Sequence, residues 1–417
     1  MRSQKYPLSD PLALGALIAL TVPIAAMFPA MLTPGGSDEN SYLRVALEMP
    51  ALWPSSNWGP LYSSWYFALL QIVGEPLTAF HVNTQVIYLL STTLTFLLVR
   101  RLGVPTVAAF LVSLVYACSA GAIELVPRIY QATYTLLVAT ALMTYSARNP
   151  ATKLAICAAG SWWAAFMRPE LTVAAAVFAI AAVVSFARNR GGDSTAPISP
   201  LRWAYGALGC LLPLALFGFP LYNPGYNRSL QALTQGYLQN LNRFAGVDVN
   251  PWGADLSLFT RVFGEQNTVV SAVQHSPFEF VRHLGWNSYA MIDAVLYNIG
   301  VSARVAPFGL SGWMTALTVL LATVTAVQFL RMRNKKAVDG LHGARVPSIF
   351  LSITTLVTLG SAVVTVTDAR HGFLVAFLGL MALVSWSADS LPSVASGGGG
   401  EVGLIKVPRT IEEPSPL

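Results

Sequence analysis

The sequence is poor in charge. Asp, Glu, Lys and Arg make up 11% of its 417 residues, against about 25% in soluble domains. With 54% hydrophobic residues, a soluble fold would have too little polar surface to stay wetted. Cysteine is scarce too. Cys118, Cys157 and Cys210 each sit in an apolar stretch, with no CxxC spacing and no Cys/His pattern. That argues against a disulfide framework and a cysteine metal site. There is no Walker loop, no dinucleotide fingerprint and no HExxH, HxxE or DxD triplet, which argues against soluble nucleotide chemistry.

What the sequence does have is repeated uncharged runs of about 20 residues, the length that spans a bilayer. Spans are predicted at about 12–32, 79–99, 104–122, 129–147, 152–167, 170–187, 203–222, 305–330, 348–367 and 371–388. The fold class is therefore all-α, a polytopic membrane protein of about ten helices. Arg2 and Lys5 precede the first run, which reads as a retained signal anchor rather than a cleaved peptide.

The net charge of +6 is no signal for nucleic acid here, because the basic residues cluster between apolar runs. With the N-terminus inside, 16 of the 25 Lys and Arg fall on inner segments and 9 on outer ones. The runs were placed without reference to charge, so this positive-inside split supports the topology. Two long segments, 33–78 and 223–304, are left outside. Residues 39–48 place Tyr42, Val45 and Ala46 on one side of a short helix. Leu230, Leu233, Tyr237, Leu241 and Phe244 recur near helical spacing. Ser276-Pro277-Phe278-Glu279 reads as a capping box opening a helix with Leu284, Met291, Val295 and Ile299 on one face. Such helices are expected in the outer interface. Residues 1–390 read as one membrane-embedded domain, and 391–417, with Gly397 to Gly400, as a disordered cytoplasmic tail.

Ionisable residues gather at the outer helix ends: Asp38, Glu39, Glu124, Arg128, Arg168, Glu170, Asp368, Arg370 and His371. Taken singly, plainer readings win. Asp38 and Glu39 after Ser37 read as a helix cap. Arg128 and Arg168 read as snorkelling residues. Arg168-Pro169-Glu170 reads as a tight turn with an internal ion pair. His371 reads as a structural hydrogen-bonding residue, and Asp368 and Arg370 as a neutral pair. Taken together, their convergence on one side points to a polar cavity opening outward. A hard divalent cation between Asp38 and Glu39 stays open, since the spacing is not diagnostic.

The order of motifs is familiar. Asp38-Glu39-Asn40-Ser41-Tyr42 follows the first span, then Trp58-Gly59-Pro60-Leu61-Tyr62-Ser63-Ser64-Trp65. Arg100-Arg101-Leu102-Gly103 ends a helix, Pro127-Arg128-Ile129-Tyr130-Gln131 enters another, and Asp368-Ala369-Arg370-His371 joins the last two. Over about residues 10–390 the chain resembles the GT-C superfamily of integral-membrane glycosyltransferases. The similarity is greatest to the dolichyl-phosphate-mannose-protein mannosyltransferase-like branch, with its bacterial aminoarabinose and lipopolysaccharide-modifying relatives.

The resemblance implies an inverting transferase in a bacterial cytoplasmic membrane. It would use a sugar on a polyprenyl phosphate, a lipid, glycan or protein acceptor, and a site on the outer face. It implies Asp38 as the catalytic carboxylate, with Glu39 second. Arg128, Arg168 and Arg370 are the available cations for the donor phosphate. Tyr42, Trp58, Tyr62, Glu124, Tyr130, Glu170, Asp368 and His371 are further cavity candidates. Trp58, Tyr62 and Trp65 read equally as sugar-stacking residues or as an aromatic belt. The chain departs from many relatives in having Trp58-Gly59-Pro60 for Lys-Pro-Pro, Arg370-His371 for Arg-Tyr, and no large external C-terminal domain. A transporter or lipid flippase, and an inactive scaffold of the same fold, are the rival expectations.

Overall fold

The computed structural model describes residues 9–34, 38–49, 51, 59–147, 149–189, 200–220, 228–252, 257–302, 346–365 and 369–390. They are helical, with no strand longer than a single bridge among them. The helices are α1 (Ser9–Ala26), α2 (Phe28–Met31), α3 (Asp38–Glu48), α4 (Pro60–Val73), α5 (Pro76–Arg101) and α6 (Thr106–Ala117). Next come α7 (Ala120–Ile123), α8 (Ile129–Thr144), α9 (Pro150–Ala165), α10 (Leu171–Asn189) and α11 (Pro200–Phe217). Residues 228–302 supply α12 (Arg228–Ala245), α13 (Ser257–Phe263), α14 (Val269–His275) and α15 (Pro277–Ile299). The chain closes with α16 (Val346–Val364) and α17 (Ala369–Ser390).

Five helical stretches among the described residues are long and apolar enough to cross a membrane: Ser9–Met31, Pro76–Arg101, Leu171–Arg188, Val346–Val364 and Ala369–Trp386. Each lies within a few residues of an expected span. The expected span 305–330 falls outside the described residues. The expected span 104–122 is not one helix. It breaks at Cys118–Ser119, leaving 12 residues in α6, about 18 Å of helix. Ser119 is extended, and its side chain caps Ala122 N at 3.1 Å. The broken backbone is met by the residues just after α15: Ala120 N donates to Gly300 O at 2.7 Å, and Ser302 N to Cys118 O at 2.9 Å. Irregular backbone is tolerated in a membrane protein where protein satisfies it in this way.

The main core is built where α5, α8, α16 and α17 meet α1, α6, α9 and α10. The stacked rings of Tyr116 and Tyr134, with centroids 5.2 Å apart, are wedged by Phe373 and Phe377. Hydroxyls in the helices bond back one turn, as Thr84 does to Phe80 O and Thr95 to Ser91 O. Such residues thereby bring no unmet donor into an apolar setting. At Gly160, a Cβ would lie 2.2 Å from Thr140 Oγ1. Only glycine lets α8 and α9 approach so closely.

Helices α12 and α13 have their own small cluster of Leu233, Tyr237, Leu238, Leu241, Phe259 and Phe263. The expected α12 face is therefore the packed one. The helix at Pro277 forms as expected, but not by a capping box. Ser276 Oγ donates to Val262 O, and Glu279 pairs with Arg282 instead of reaching back. The expected α15 face is also displaced: its buried positions are His283, Asn287, Ala290, Met291, Ala294 and Asn298. Phe278, Val281, Tyr289, Ile292 and Leu296 are exposed. That polarity, amides inward and hydrocarbon outward, suits a helix bathed in lipid.

Candidate functional site

Helix α3 opens with two adjacent carboxylates, and a helix turns successive residues by about 100°. They therefore face different surroundings. Glu39 falls on the buried face with Tyr42, Leu43 and Ala46; it is fully enclosed. Its Oε1 accepts from Tyr62 OH at 2.6 Å, from Tyr66 OH, and from Asn83 Nδ2 at 3.3 Å. Its Oε2 accepts from the backbone N of Arg128 at 2.7 Å. Tyr62 and Tyr66 lie four apart on α4, so one helix face presents both hydroxyls. Burial pushes the Glu39 carboxyl above the usual carboxylate range, against the pull of these donors and of the Arg128 charge. Glu39 thus ties α3 to α4, α5 and the start of α8. Both of its oxygens are engaged in that task.

Asp38 points elsewhere. Its side chain is 48% exposed, and Oδ2 accepts from Arg370 Nη1 at 2.6 Å. Arg370 stands at the start of α17, with its Cζ 5.9 Å from the Trp252 ring centroid. Next to it, the buried His371 meets the Tyr130 ring edge-on at 5.6 Å. Arg168 covers the same Tyr130 ring, with Cζ 4.4 Å from its centroid, and pairs with Glu170 at 2.6 Å. Burial raises the Glu170 carboxyl pKa, but the Arg168 charge and hydrogen bond, a backbone hydrogen bond and the Arg228 charge together outweigh it and hold it below the usual carboxylate range. Tyr42 meets Tyr62 edge-on at 5.2 Å and lies within the electrostatic reach of Arg228, Tyr130, Asp38 and Arg168. Arg228 acts on Glu170 as well.

The structure therefore brings Asp38, Tyr42, Tyr130, Arg168, Glu170, Arg370 and His371 into one cluster. Tyr62 joins it from beneath through Tyr42. Arg128 is not offered to this cluster. Its guanidinium is fully buried and caps α7, with Nη1 donating to Ala122 O at 2.6 Å and Nη2 to Ile123 O at 2.7 Å. Glu124 binds the far end of α15, accepting from Tyr297 OH at 3.1 Å and from Ser302 Oγ. Trp58 and Asp368 lie outside the described residues. Because Asp38 and Glu39 diverge, they form no shared cation site. Among the described residues, no three His, Cys, Asp or Glu side chains gather to hold a metal.

Four contributors escaped the sequence reading. Tyr66 and Asn83 complete the Glu39 cage. Asn83 sits in a polar patch of α5 with His81, Thr84 and Gln85, so nothing in the sequence singled it out. Arg228 and Trp252 come from the outer segment, where no local pattern marks them.

The make-up of the described residues, five membrane-length apolar helices with no sheet, is that of a polytopic membrane protein. Its polar cluster draws on α3, the start of α8, the α9–α10 connection, the start of α17 and the stretch carrying Arg228 and Trp252. No family model, curated protein or solved structure matches the chain.

Proposed function

We propose that the chain is a membrane glycosyltransferase that moves a sugar from a polyprenyl-phosphate-linked donor to an acceptor at the outer face. In this reading it is GT-C-like, with about ten spans, in a bacterial cytoplasmic membrane. The observation that carries it is the Asp38–Arg370 pair, a half-exposed carboxylate and a guanidinium 2.6 Å apart. Glycosyl transfer from a lipid phosphate needs both groups in one place. The carboxylate takes the acceptor's hydroxyl or amine proton as the new bond to the anomeric carbon forms. The old carbon–oxygen bond breaks on the opposite face, and its electron pair leaves on the phosphate, which cations must stabilise.

Arg370 is the nearest such cation. Arg168 and Arg228 add to the field, so three arginines stand against the two carboxylates Asp38 and Glu170. A net cationic cluster suits a phosphate, and the guanidinium fork suits its paired oxygens. Arg128, spent on two carbonyls, is left out of that role. Glu39 serves as the anchor that presents Asp38. Exposed Trp252, beside Arg370, offers a flat face for a sugar ring.

The test is turnover by the full chain in nanodiscs, with synthetic prenyl-phosphate sugars as donors. Release of prenyl phosphate together with an anomerically inverted product is the expected outcome. Movement of intact donor across vesicles, without cleavage, would replace this reading with a flippase.

A further inference from the structure

The last four carbonyls of a helix lack intrahelical donors and must find them elsewhere. At the end of α16, side chains of α15 supply them. Asn287 Nδ2 donates to Val363 O at 2.8 Å. His283 Nε2 lies 3.0 Å from Thr365 O and 3.3 Å from Val364 O. A carbonyl can only accept, so the imidazole carries its proton on Nε2. Its Nδ1 then accepts from Asn240 Nδ2 at 3.0 Å, and the same amide reaches Asn287 Oδ1 at 2.9 Å. Both ring nitrogens and both Asn287 polar atoms thus have acceptors or donors. Asn287 Nδ2 and His283 Nε2, 3.0 Å apart, are both donors and stand side by side against the same run of carbonyls, and both residues are fully buried.

About three turns further along α15, Asn298 Nδ2 donates at 2.5 Å to the carbonyl of Ala369, the residue before Arg370. At Gly372 a Cβ would stand 2.6 Å from the backbone and Cβ of Ala294. Helices α15 and α17 are in backbone contact there, and no larger residue fits without parting them. So α15 grips the end of α16 and the beginning of α17, and Arg370 lies between its grips.

We propose that α15 is a clamp and that His283, Asn287 and Asn298 are positioning residues for Arg370. They fix the two helix ends whose placement brings the guanidinium to Asp38. None of the three touches Asp38 or Arg370 through a side-chain bond. Only what Arg370 does for a substrate rests on the proposed function; the clamp rests on the hydrogen bonds alone.

The experiment has two arms. In a Cys210→Ser background, Asp38→Cys and Arg370→Cys are joined by a short bis-methanethiosulfonate linker. Asn287→Asp, Asn298→Asp and His283→Gln are added singly, the first two keeping shape while losing the donor. Each should slow cross-linking about fivefold, the scale of one net hydrogen bond. Ile292→Ala, on the exposed side of α15, should not. Unchanged cross-linking in all three overturns the clamp. In the second arm, the donor KM is measured for Asn287→Asp with and without Arg370→Ala. A raised KM that vanishes in the Arg370→Ala background is expected, and additive effects overturn the positioning role. If cross-linking slows while even the parent turns over no donor, the clamp stands and the transferase reading falls.

Discussion

Asp38 and Arg370 lie 332 residues apart in the chain and are joined by an ion pair of 2.6 Å. Each is the partner that the other must give up for the proposed reaction. A donor phosphate that takes the guanidinium leaves the carboxylate open to an acceptor. The resting pair thus holds both groups in place until a substrate divides them.

Asp38→Asn should leave insertion and abundance near the parent level while turnover falls at least about 100-fold. Asparagine caps a helix about as well as aspartate but takes no proton, and general-base help is worth about 10²–10⁴-fold. Donor turnover in nanodiscs, with abundance followed in parallel, decides it. Near-normal turnover would reduce Asp38 to a cap.

Glu39→Gln should behave differently. The new amide would turn its N–H₂ group either toward the two hydroxyls and the Asn83 amide that donate to Oε1 or toward the backbone N–H that donates to Oε2. A buried mismatch of that kind costs about 1–3 kcal/mol. The expected result is a lower melting temperature in detergent, with turnover per folded molecule affected less than by Asp38→Asn. If stability is untouched while turnover collapses, Glu39 is a reacting group and not an anchor.

Lysine substitutions separate the arginines. Arg370→Lys should raise the donor KM, because a point charge replaces a two-pronged fork. Arg128→Lys should instead lower abundance, since one ammonium cannot cap both Ala122 and Ile123 in the geometry of Nη1 and Nη2. Equal loss of donor affinity in both variants would return Arg128 to the phosphate.

Acid should loosen α15. Burial lowers the His283 pKa to about 4 from its ordinary 6.5, despite the opposing backbone hydrogen bonds. The unfolded chain then binds the proton more tightly, so stability is full above about 6.5 and declines as pH falls toward about 4. The side chains near the ring are Tyr237, Phe280, Asn240 and Asn287. Melting curves across that window should slope in the parent and flatten in His283→Gln. Identical slopes would place the titration elsewhere.

Apolar runs located α5, α16 and α17 because burial in hydrocarbon is decided locally, residue by residue. The break at Ser119 was not legible. What stabilises it is the backbone of Gly300 and Ser302, far along the chain. The enclosed setting of Glu39 was not legible for the same reason. Spacing put Tyr42 and Ala46 on the inner face of α3, but a carboxylate belongs beside them only once Tyr62, Tyr66 and Asn83 are known to surround it. The cluster of Asp38, Arg168 and Arg370 was legible as charges on one side. The contribution of Trp252 was not, since it depends on how the outer segment folds back over α17.

The inverted polarity of α15 also bears on how the protein is made. Synthesis delivers α15 before α16 and α17. In that interval His283, Asn287 and Asn298 have no helix ends to hold, and an apolar side already faces outward. The nascent chain is therefore least self-sufficient just before its final hairpin arrives. A ribosome stalled ahead of Val346 would leave α15 held only by earlier contacts such as those of Asn240 and Glu124, with donors of Asn287 and Asn298 unmet, the kind of surface that chaperones and membrane proteases recognise. Arg370 can reach Asp38 only once the start of α17 has been made and set against α15.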